Sequence, residues 1–558
     1  MDVLNTVFFW AAVVLSVIAA YRLWLSKSDR TAAPTGWAVP EKARRWLLLA
    51  IALAAVLVRV WRFGEVPGGF NQDGAMAAVD AKALADYGTD RLGMRLPVHL
   101  TAWGYGQMSS LLSYLMVPFI KLFGLSPVTA RFPLLLMSLA GLWCLYLLAR
   151  DLFGEDGGLI AFAFAAIDPW HILQSRWALD CNLFPHFLIF GLFFLVRALS
   201  ADRKWPFLTL SMVFFGLSMY CYGVSLYTVP LFLLAACVYL LAVKRVTAVQ
   251  AVLCLGVYLL VAWPFLLTMA INFFGWDTIE TPFFTLPYFP GSVRSNDILF
   301  FSKDIPAQLA QNAQALLDTT LRQVKDLPWN DVEGFGTLYL FSVPFTVAGL
   351  CSLVKEGRRE PGCVLLLFLL LAGIWCGLTT NSVNINRVNM IYYPLILLTA
   401  LGVYTVLCWF PLRRLAGGVG LAYLLAFCLF AHTYFTTYAQ QIRGYFFGDF
   451  SAALCAVKDS GAERFCITAD SQSKGSRHVS EILTLFWHEV DAEYFQGKTT
   501  PPGELPYREK YTYESITPAS VDPDEDAAYV VTYPDLAYFP EEFYDLQPFG
   551  YYYVVTRR

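Results

Sequence analysis

The sequence predicts an all-α polytopic membrane domain of about twelve transmembrane helices plus interfacial helices, followed by a small extracytoplasmic α/β domain. Hydrophobic residues make up 57% of the 558 residues and charged residues only 15%, whereas roughly 25% of the residues of a soluble domain are charged. The apolar residues form blocks of about 20, the length of a helix that crosses a hydrocarbon core of roughly 30 Å. Because lipid offers the backbone no hydrogen-bond partner, such blocks are predicted to be helices.

The apolar blocks locate the spans, and the charges beside them give the orientation. The first block lacks a basic leading segment and a small-residue cleavage site, so it is predicted to be a retained helix rather than a signal peptide. The predicted spans are near 3–25, 46–63, 129–149, 158–174, 183–199, 206–222, 225–243, 248–270, 336–354, 363–379, 389–408 and 415–436. Lys and Arg concentrate in the loops at 26–45, 150–156, 200–205, 244–247, 355–361 and 411–414. The positive-inside rule places these loops in the cytoplasm of a multi-pass protein of the cell membrane.

The segment 108–123 decides this orientation. It is apolar but short, and Pro118 and Lys121 interrupt it. A crossing here would invert the Lys/Arg bias, so we expect an interfacial or re-entrant helix on the outer face. The expected organisation is an additional N-terminal transmembrane helix with a cytoplasmic loop (1–45), a membrane domain (46–436) with outer loops at 64–128 and 271–335, and an extracytoplasmic α/β domain (437–558).

The composition changes sharply after residue 436, where Asp, Glu, Tyr and Pro become frequent. Strand-like runs at 464–469, 527–533 and 550–556 alternate with a helical stretch at 478–495, a pattern typical of a small α/β domain. Cys455 and Cys466 lie in this region, where they either form a disulfide or remain free thiols. No CxxC pattern or His/Cys cluster has the spacing of a structural zinc site.

Charged residues beside membrane segments are costly and therefore mark candidate sites. In the run PGGFNQDGAMAAVD at 67–80, Asp73 either caps the helix that follows or serves as a functional carboxylate. Asp80, seven residues further on, shares a helical face with Asp73 and is either a second functional carboxylate or a solvated one. In the run at 88–107, Gly and aromatic residues interleave with charged residues. This run is either an interfacial aromatic belt or a platform that stacks on the C–H faces of sugar rings.

Two further clusters combine arginine with other polar residues. The hairpin DPWHILQSRWALDCNLFP at 168–185 holds five polar groups, namely Asp168, His171, Arg176, Asp180 and Asn182. Arg176 and Asp180 have the i, i+4 spacing of a structural ion pair, but an arginine fork also suits phosphate. Arg387 stands among asparagines at 381–393, where it either reaches toward the membrane interface or binds phosphate.

Several function classes have no support in the sequence. No Walker A, GxSxG or HExxH pattern occurs, nor a GxGxxG pattern within a βαβ unit. ATP hydrolysis, serine hydrolysis and nicotinamide chemistry are therefore not indicated. The sequence shows no internal repeat, and its polar clusters are predicted at one membrane face, which disfavours a transporter.

The aspartate that follows an early span, within P-G-G-F-x-x-D, resembles the signature of membrane-embedded glycosyltransferases of the GT-C fold. The branch that it most resembles contains the dolichyl-phosphate-mannose protein mannosyltransferases and the aminoarabinose transferases (glycosyltransferase family 39-like). Runs similar to a bacterial subgroup of that branch are GTDRLGMRLPV (88–98), WGYGQ (103–107), FGLSPVTARFP (123–133), DPWHILQSRWALDCNLFP (168–185), MYCYGVSLYTVP (219–230), WNDVEGFGTLYLFSVPF (329–345) and NINRVNMIYYP (384–394). They cover most of 60–410 in the expected order.

The resemblance implies an inverting transfer of a sugar from a polyprenyl-phosphate donor to an extracytoplasmic acceptor, which is a protein hydroxyl, a cell-envelope glycan or a lipid. It implies that Asp73 is the general base and that Asp180 matches the acidic residue of the family's second outer loop. Arg176 and Arg387 are expected to bind the donor phosphate. The sugar and acceptor pocket is expected to include Asp80, Trp103, Tyr105, Gln107, His171 and Asn182.

No metal or other cofactor is expected. The family often has a second acid directly after the first, but this chain has Gly74 there, and a lone carboxylate is a poor site for a divalent cation. The alternative functions are a polysaccharide polymerase or ligase that uses a pyrophosphate-linked donor, a membrane transporter, and a receptor whose C-terminal domain binds a partner.

Overall fold

The computed structural model describes residues 38–103, 106–290, 305–324, 326–356, 360–410, 412–470 and 476–558, together with a few positions between 10 and 18. The first predicted span, at 3–25, lies mostly outside the described residues. In the membrane domain the helices are α1 (Glu41–Val60), α2 (Gln72–Tyr87), α3 (Leu111–Phe123), α4 (Pro127–Ile167), α5 (Pro169–Gln174), α6 (Asp180–Ser200), α7 (Lys204–Ser218), α8 (Ser225–Ala242), α9 (Ala248–Phe274), α10 (Ile305–Thr320), α11 (Val343–Glu356), α12 (Pro361–Thr379), α13 (Ile385–Val388), α14 (Tyr392–Trp409) and α15 (Arg413–Thr433).

Seven helical segments of the described chain are long and apolar enough to cross a membrane. They are Pro127–Ile167, Asp180–Ser200, Ser225–Ala242, Ala248–Phe274, Pro361–Thr379, Ile385–Trp409 and Arg414–Tyr445. The prediction of a multi-pass, mainly helical membrane protein is confirmed, whereas the number of about twelve spans stays a prediction.

Two of the predicted spans, 129–149 and 158–174, are the arms of the single long helix α4. The arms meet at Gly154, whose φ of 81° and ψ of 177° lie outside the helical region and are readily adopted only by glycine. The second arm ends at Ile167 rather than at 174. Asp168 then caps α5 by accepting a hydrogen bond of 3.0 Å from the His171 backbone N–H.

Helix α3 occupies the segment that decides the predicted orientation. Its 13 residues extend over about 20 Å at 1.5 Å per residue, which is less than the roughly 30 Å of a hydrocarbon core. Lys121 donates a hydrogen bond of 2.6 Å to the Ala85 carbonyl near the C-terminal end of α2. The length of α3 and this contact support an interfacial helix rather than a spanning one.

Two short antiparallel hairpins lie among these helices. The first pairs β1 (His99–Thr101) with β2 (Gln107–Ser109). The second pairs β3 (Ile279–Glu280) with β4 (Thr285–Leu286). The first hairpin directly precedes α3 and carries Trp103 close to its turn, so it determines where this indole lies.

The last membrane helix leads into the C-terminal domain without a break. Helix α15 continues through a π-helical turn (Tyr434–Tyr438) into α16 (Ala439–Tyr445), so the predicted boundary at 437 falls inside a continuous helical segment. Helix α17 (Gly448–Lys458) follows, and then the elements β5 (Arg464–Thr468), α18 (Arg477–Trp487), α19 (Ala492–Phe495), α20 (Tyr507–Lys510), β6 (Tyr511–Glu514), β7 (Ala527–Thr532), β8 (Tyr544–Phe549) and β9 (Tyr552–Arg557). Both Cys455 and Cys466 are free thiols.

These five strands form one mixed sheet in the order β6-β5-β7-β9-β8. Strand β5 runs parallel to β6 and β7, and the crossover from β5 to β6 contains α18. Strand β9 runs antiparallel to β7 and β8. Helix α18 packs on α2 and thereby places the sheet domain over the helix that begins beside Asp73.

Three specific contacts hold this domain against the first outer loop. The rings of Phe70 and Phe486 stack with a centroid separation of 4.4 Å. The Tyr87 hydroxyl donates a hydrogen bond of 2.6 Å to Asp491. The Gln496 side-chain amide donates one of 3.0 Å to the Arg91 carbonyl. The C-terminal domain therefore shares an interface with the loop that carries the first polar cluster.

Candidate active site

Asp73 lies in the first turn of α2 but does not cap the helix. The cap is Asn71, whose side-chain oxygen accepts a hydrogen bond of 2.9 Å from the Asp73 backbone N–H. The interpretation of Asp73 as the helix cap is therefore wrong, because the neighbouring asparagine fills that role. The Asp73 carboxylate instead accepts a hydrogen bond of 2.5 Å from the Trp103 indole N–H and lines a cavity.

This cavity, with a volume of about 260 Å³, is the candidate active site. Its wall combines one carboxylate, three indoles, three amides and one leucine, contributed by Asn71, Gln72, Asp73, Trp103, Trp177, Leu179, Trp329 and Asn386. Indole faces stack on the C–H faces of sugar rings, and amides hydrogen-bond to hydroxyl groups in either direction. The wall can therefore hold a sugar against a single carboxylate.

Gly74 allows α2 to pack closely against the segment that precedes α6. A Cβ atom at this position would lie 2.7 Å from the Ala178 carbonyl oxygen, which is closer than side chains tolerate. A second acidic residue directly after Asp73 would therefore displace the neighbouring chain. No group of three or more His, Cys, Asp or Glu residues that could hold a metal ion occurs in the described parts of the chain.

The pair Asp80–Arg91 supports the hairpin that carries Trp103. Arg91 donates to the Asp80 carboxylate from Nη1 at 2.7 Å and from its backbone N–H at 3.0 Å. The same guanidinium donates to the Thr101 carbonyl at 2.9 Å. Asp80 is fully buried, so its predicted place in the sugar pocket is wrong. It positions the outer loop through Arg91 instead.

Asp90 is buried beside this ion pair. Its Oδ1 accepts hydrogen bonds from the backbone N–H groups of Leu92 at 3.0 Å and Met94 at 2.8 Å. Burial, followed by the charge of Asp80, raises the pKa of the Asp90 carboxyl from its ordinary value of 3.8 to about 7. The folded protein therefore holds a proton here that the unfolded chain releases at lower pH.

This shift gives stability a pH dependence with a defined sign. Because the folded state binds the extra proton, the free energy of unfolding falls as the pH rises from 3.8 towards about 7, and the loss is complete above that range. We expect Asp90→Asn to raise the melting temperature relative to the wild type, and to raise it clearly more at pH 8 than at pH 5, as measured by thermal unfolding in detergent. Asp86→Asn, a change of an exposed carboxylate on α2, is the matched control. Equal shifts for Asp90→Asn at both pH values would contradict the assignment.

Arg176 does not contribute to the cavity wall. Its two terminal nitrogens donate hydrogen bonds of 2.6–3.2 Å to five carbonyl oxygens, those of Val58, Arg59, Trp61, Arg62 and Val66. Its guanidinium also lies over the Phe435 ring, 5.1 Å from the ring centroid. The predicted phosphate-binding role of Arg176 is wrong, because these donors satisfy carbonyls at the C-terminal end of α1.

His171 and Asn182 are buried inside the helix bundle rather than in the cavity wall. His171 Nδ1 lies 2.9 Å from an Arg59 nitrogen, and Nε2 lies 2.9 Å from the Tyr393 hydroxyl. Since a guanidinium can only donate, Nδ1 accepts and Nε2 carries the proton. The Asn182 amide donates to the Gln174 carbonyl at 3.4 Å. Their predicted places in the sugar pocket are therefore wrong.

The remaining predicted residues lie beside the cavity or outside the described chain. Gln107 is buried in β2 opposite Thr101 and does not line the cavity, and Tyr105 is outside the described residues. Asp180 begins α6 one residue after the cavity residue Leu179, and its Oδ1 accepts a hydrogen bond of 2.7 Å from the Cys181 backbone N–H.

Arg387 follows the cavity residue Asn386 on the short helix α13. Its Nη1 donates a hydrogen bond of 3.1 Å to the Thr380 hydroxyl, and its side chain is only partly buried. The Asn389 amide donates one of 2.6 Å to the Cys181 carbonyl. The segment with Arg387 and the start of α6 with Asp180 are thus joined next to the cavity.

Several cavity residues were not among the predicted site residues: Asn71, Gln72, Trp177, Leu179, Trp329 and Asn386. All of them lie within runs already identified as polar clusters or as similar to the family. Trp177 follows Arg176 in the 168–185 hairpin, and Trp329 opens the 329–345 run. The prediction considered mainly charged residues and therefore did not include the indoles of Trp177 and Trp329, although indole faces often bind sugars.

Comparison with known proteins supports the same family. Residues 109–268 match the family described as dolichyl-phosphate-mannose-protein mannosyltransferase. The fold is similar to that of ArnT from Cupriavidus metallidurans bound to undecaprenyl phosphate, with a TM-score of 0.55 at 12% identity over 92% of this chain and 98% of that chain. The apo form of that ArnT gives a TM-score of 0.54 at 13% identity with the same coverage.

A second structural neighbour is the oligosaccharyltransferase of Archaeoglobus fulgidus in complex with Zn and sulfate. Its TM-score is 0.51 at 14% identity over 78% of this chain, and the present chain spans 61% of its length. No curated protein sequence matches the chain significantly. The chain therefore has a segment similar to that mannosyltransferase family and a fold similar to that of ArnT.

Proposed function

We propose that the chain transfers a sugar from a polyprenyl-phosphate carrier to an acceptor hydroxyl outside the cytoplasm, with inversion at the anomeric carbon. The observation that carries this proposal is the Asp73 carboxylate in a cavity walled by Trp103, Trp177 and Trp329. Support for the donor class comes from the family match and from ArnT, which was solved with undecaprenyl phosphate. The acceptor is a protein hydroxyl, a cell-envelope glycan or a lipid.

The chemistry is a single displacement in which Asp73 acts as general base. The acceptor hydroxyl oxygen attacks the anomeric carbon, and its proton passes to the Asp73 carboxylate. The bond between the anomeric carbon and the phosphate oxygen breaks, and the lipid phosphate leaves with the electron pair. The hydrogen bond from the Trp103 indole N–H to one carboxylate oxygen fixes the orientation of the Asp73 carboxylate.

Arg387 is the proposed partner of the donor phosphate. It lies one residue from the cavity wall, on a short helix joined to the start of α6 through Asn389. A guanidinium in this place would stabilise the charge that develops on the leaving phosphate. Asp180 is still proposed to take part in catalysis. It lies next to the cavity residue Leu179, at the start of the helix to which Asn389 is hydrogen-bonded.

The orientation of the protein follows from its loop charges. The Lys- and Arg-rich loops are proposed to be cytoplasmic, so the cavity and the C-terminal domain face the other side of the cell membrane. A sugar carried by a lipid would enter this cavity from the outer leaflet.

The test uses the purified protein in lipid nanodiscs with sugars linked to undecaprenyl phosphate or to undecaprenyl pyrophosphate. We expect consumption of the monophosphate-linked donor only, release of undecaprenyl monophosphate, and a product anomer opposite to that of the donor, as determined by mass spectrometry and NMR. Release of the pyrophosphate lipid would instead indicate a polymerase or ligase. Movement of the intact donor across the bilayer without cleavage would indicate a transporter.

A further inference from the structure

Two more cavities lie in a row beside the active-site cavity and are lined in part by the C-terminal domain. The second cavity, of about 220 Å³, shares Trp103 with the active-site cavity and lies between the first outer loop and α18. The third, of about 420 Å³, shares Leu92, Phe495 and Arg508 with the second. Neighbouring cavities share wall residues and therefore lie side by side, and the three together are here called the acceptor groove.

The walls of the acceptor groove alternate aromatic faces with groups that hydrogen-bond. Trp103 and Phe495 are partly exposed along it, whereas Tyr507 is only 2% exposed. The Arg508 guanidinium lies over the rings of Phe495 and Tyr507, 5.7 and 5.6 Å from their centroids. Its Nη1 is 3.3 Å from the Glu481 carboxylate, and 64% of the side chain is exposed. The groove therefore presents a planar guanidinium donor that is held in place by the rings beneath it.

This wall chemistry favours a carbohydrate over a peptide. One common mode of binding an extended peptide uses the free N–H and C=O groups of a strand edge. The wall residues from the C-terminal domain instead come from α18, from the helix and turn at 492–498 and from the start of α20, so the groove offers side chains. Aromatic faces with hydroxyl-binding groups between them match successive sugar rings, whose C–H faces are apolar and whose edges carry hydroxyls.

We propose that the acceptor groove binds an extended carbohydrate chain whose terminal hydroxyl passes Trp103 to reach Asp73. The proposal rests on the proposed function and narrows its acceptor to a glycan. Trp103 forms the wall between the first two cavities and also donates a hydrogen bond to Asp73. A sugar that stacks on this indole would therefore lie directly beside the base.

The occupant can be captured in the cells that make the protein. The photoreactive residue benzoylphenylalanine is introduced into the full chain in place of Lys498, an exposed residue that lines the third cavity. A second variant carries it in place of Arg558, an exposed residue on the far side of the sheet that pairs with Asp545. We expect irradiation to give a heavy, heterogeneous adduct only at position 498, and we expect periodate oxidation to remove its mass. No adduct above the level at 558, or an adduct that releases foreign peptides on proteolysis, would overturn the proposal.

The same capture in an Asp73→Asn background separates the two proposals. Binding in the groove does not require the base, so the glycan adduct is expected to persist there. A glycan adduct together with an inactive donor assay would contradict the proposed function and leave the acceptor groove standing. Transfer in the donor assay without a glycan adduct would overturn the proposal for the acceptor groove but not the proposed function.

Kinetics with the captured glycan give a second measurement. Arg508→Ala is expected to raise the KM for this glycan roughly tenfold, the effect of losing one charged hydrogen-bonding contact, with the donor KM unchanged. Arg558→Ala removes an exposed arginine of the same domain that likewise pairs with one carboxylate, and it is expected to leave both constants unchanged. An unchanged glycan KM in Arg508→Ala, or equal effects in both variants, would contradict the assignment.

Discussion

Transfer by an Asp73→Asn variant is expected to fall by 100-fold or more, the usual contribution of a general base. Asparagine has nearly the shape of aspartate but cannot take up the acceptor proton. Its side-chain oxygen can still accept the hydrogen bond from the Trp103 indole, and Asn71 caps the helix through the backbone of residue 73. The change therefore removes the proton acceptor and keeps the surrounding geometry.

The experiment measures sugar transfer and thermal unfolding on the same preparations. Asp86→Asn changes an exposed carboxylate on the same helix and should leave transfer unchanged. Equal melting temperatures with a large loss of transfer in Asp73→Asn alone would support the role of base. Near-normal turnover of the folded Asp73→Asn variant would reject it.

The membrane helices and the central strands could be predicted from the sequence, whereas the edge strands could not. The apolar blocks predicted the membrane helices because lipid leaves the backbone no alternative to internal hydrogen bonds. The runs at 464–469, 527–533 and 550–556 correspond to β5, β7 and β9, which are mostly buried and rich in β-branched or aromatic residues. Strands β6 and β8 were missed because they lie at the edges of the sheet, where exposed and polar residues, and Pro548 in β8, hide the pattern.

The site residues show the limit of the same method. The pattern marked Asp73 and the segments that surround it, but it could not show which way each polar side chain points. Asp80, His171 and Arg176 looked like site residues because buried charges near a membrane need partners. Asp80 pairs with Arg91, and His171 contacts the Tyr393 hydroxyl and Arg59. Arg176 donates to backbone carbonyls. The contacts of His171 and Arg176 cross between segments that are distant in the sequence, and that of Asp80 depends on how the following loop folds back over 11 residues.

Arg176 is the case with the largest expected effect on stability. In the variant Arg176→Met, five carbonyl oxygens around the end of α1 lose a donor, although the Arg62 carbonyl keeps the hydrogen bonds from the backbone N–H groups of Glu65 and Val66. We expect a loss of about 3 kcal/mol or more in the free energy of unfolding, because buried acceptors are left without partners. Lysine carries a single charged nitrogen with three donors, so Arg176→Lys should give an intermediate loss.

The matched variant is Arg387→Met, which removes the arginine proposed to bind the donor phosphate and only one side-chain hydrogen bond to Thr380. Thermal unfolding and the donor KM of the folded fraction are measured for both arginines. We expect Arg176→Met to lower the melting temperature with the donor KM unchanged, and Arg387→Met to raise the donor KM with little change in melting temperature. A raised donor KM in Arg176→Met without a loss of stability would instead assign phosphate binding to Arg176. Removing a guanidinium that is needed at the helix end would have lowered the stability.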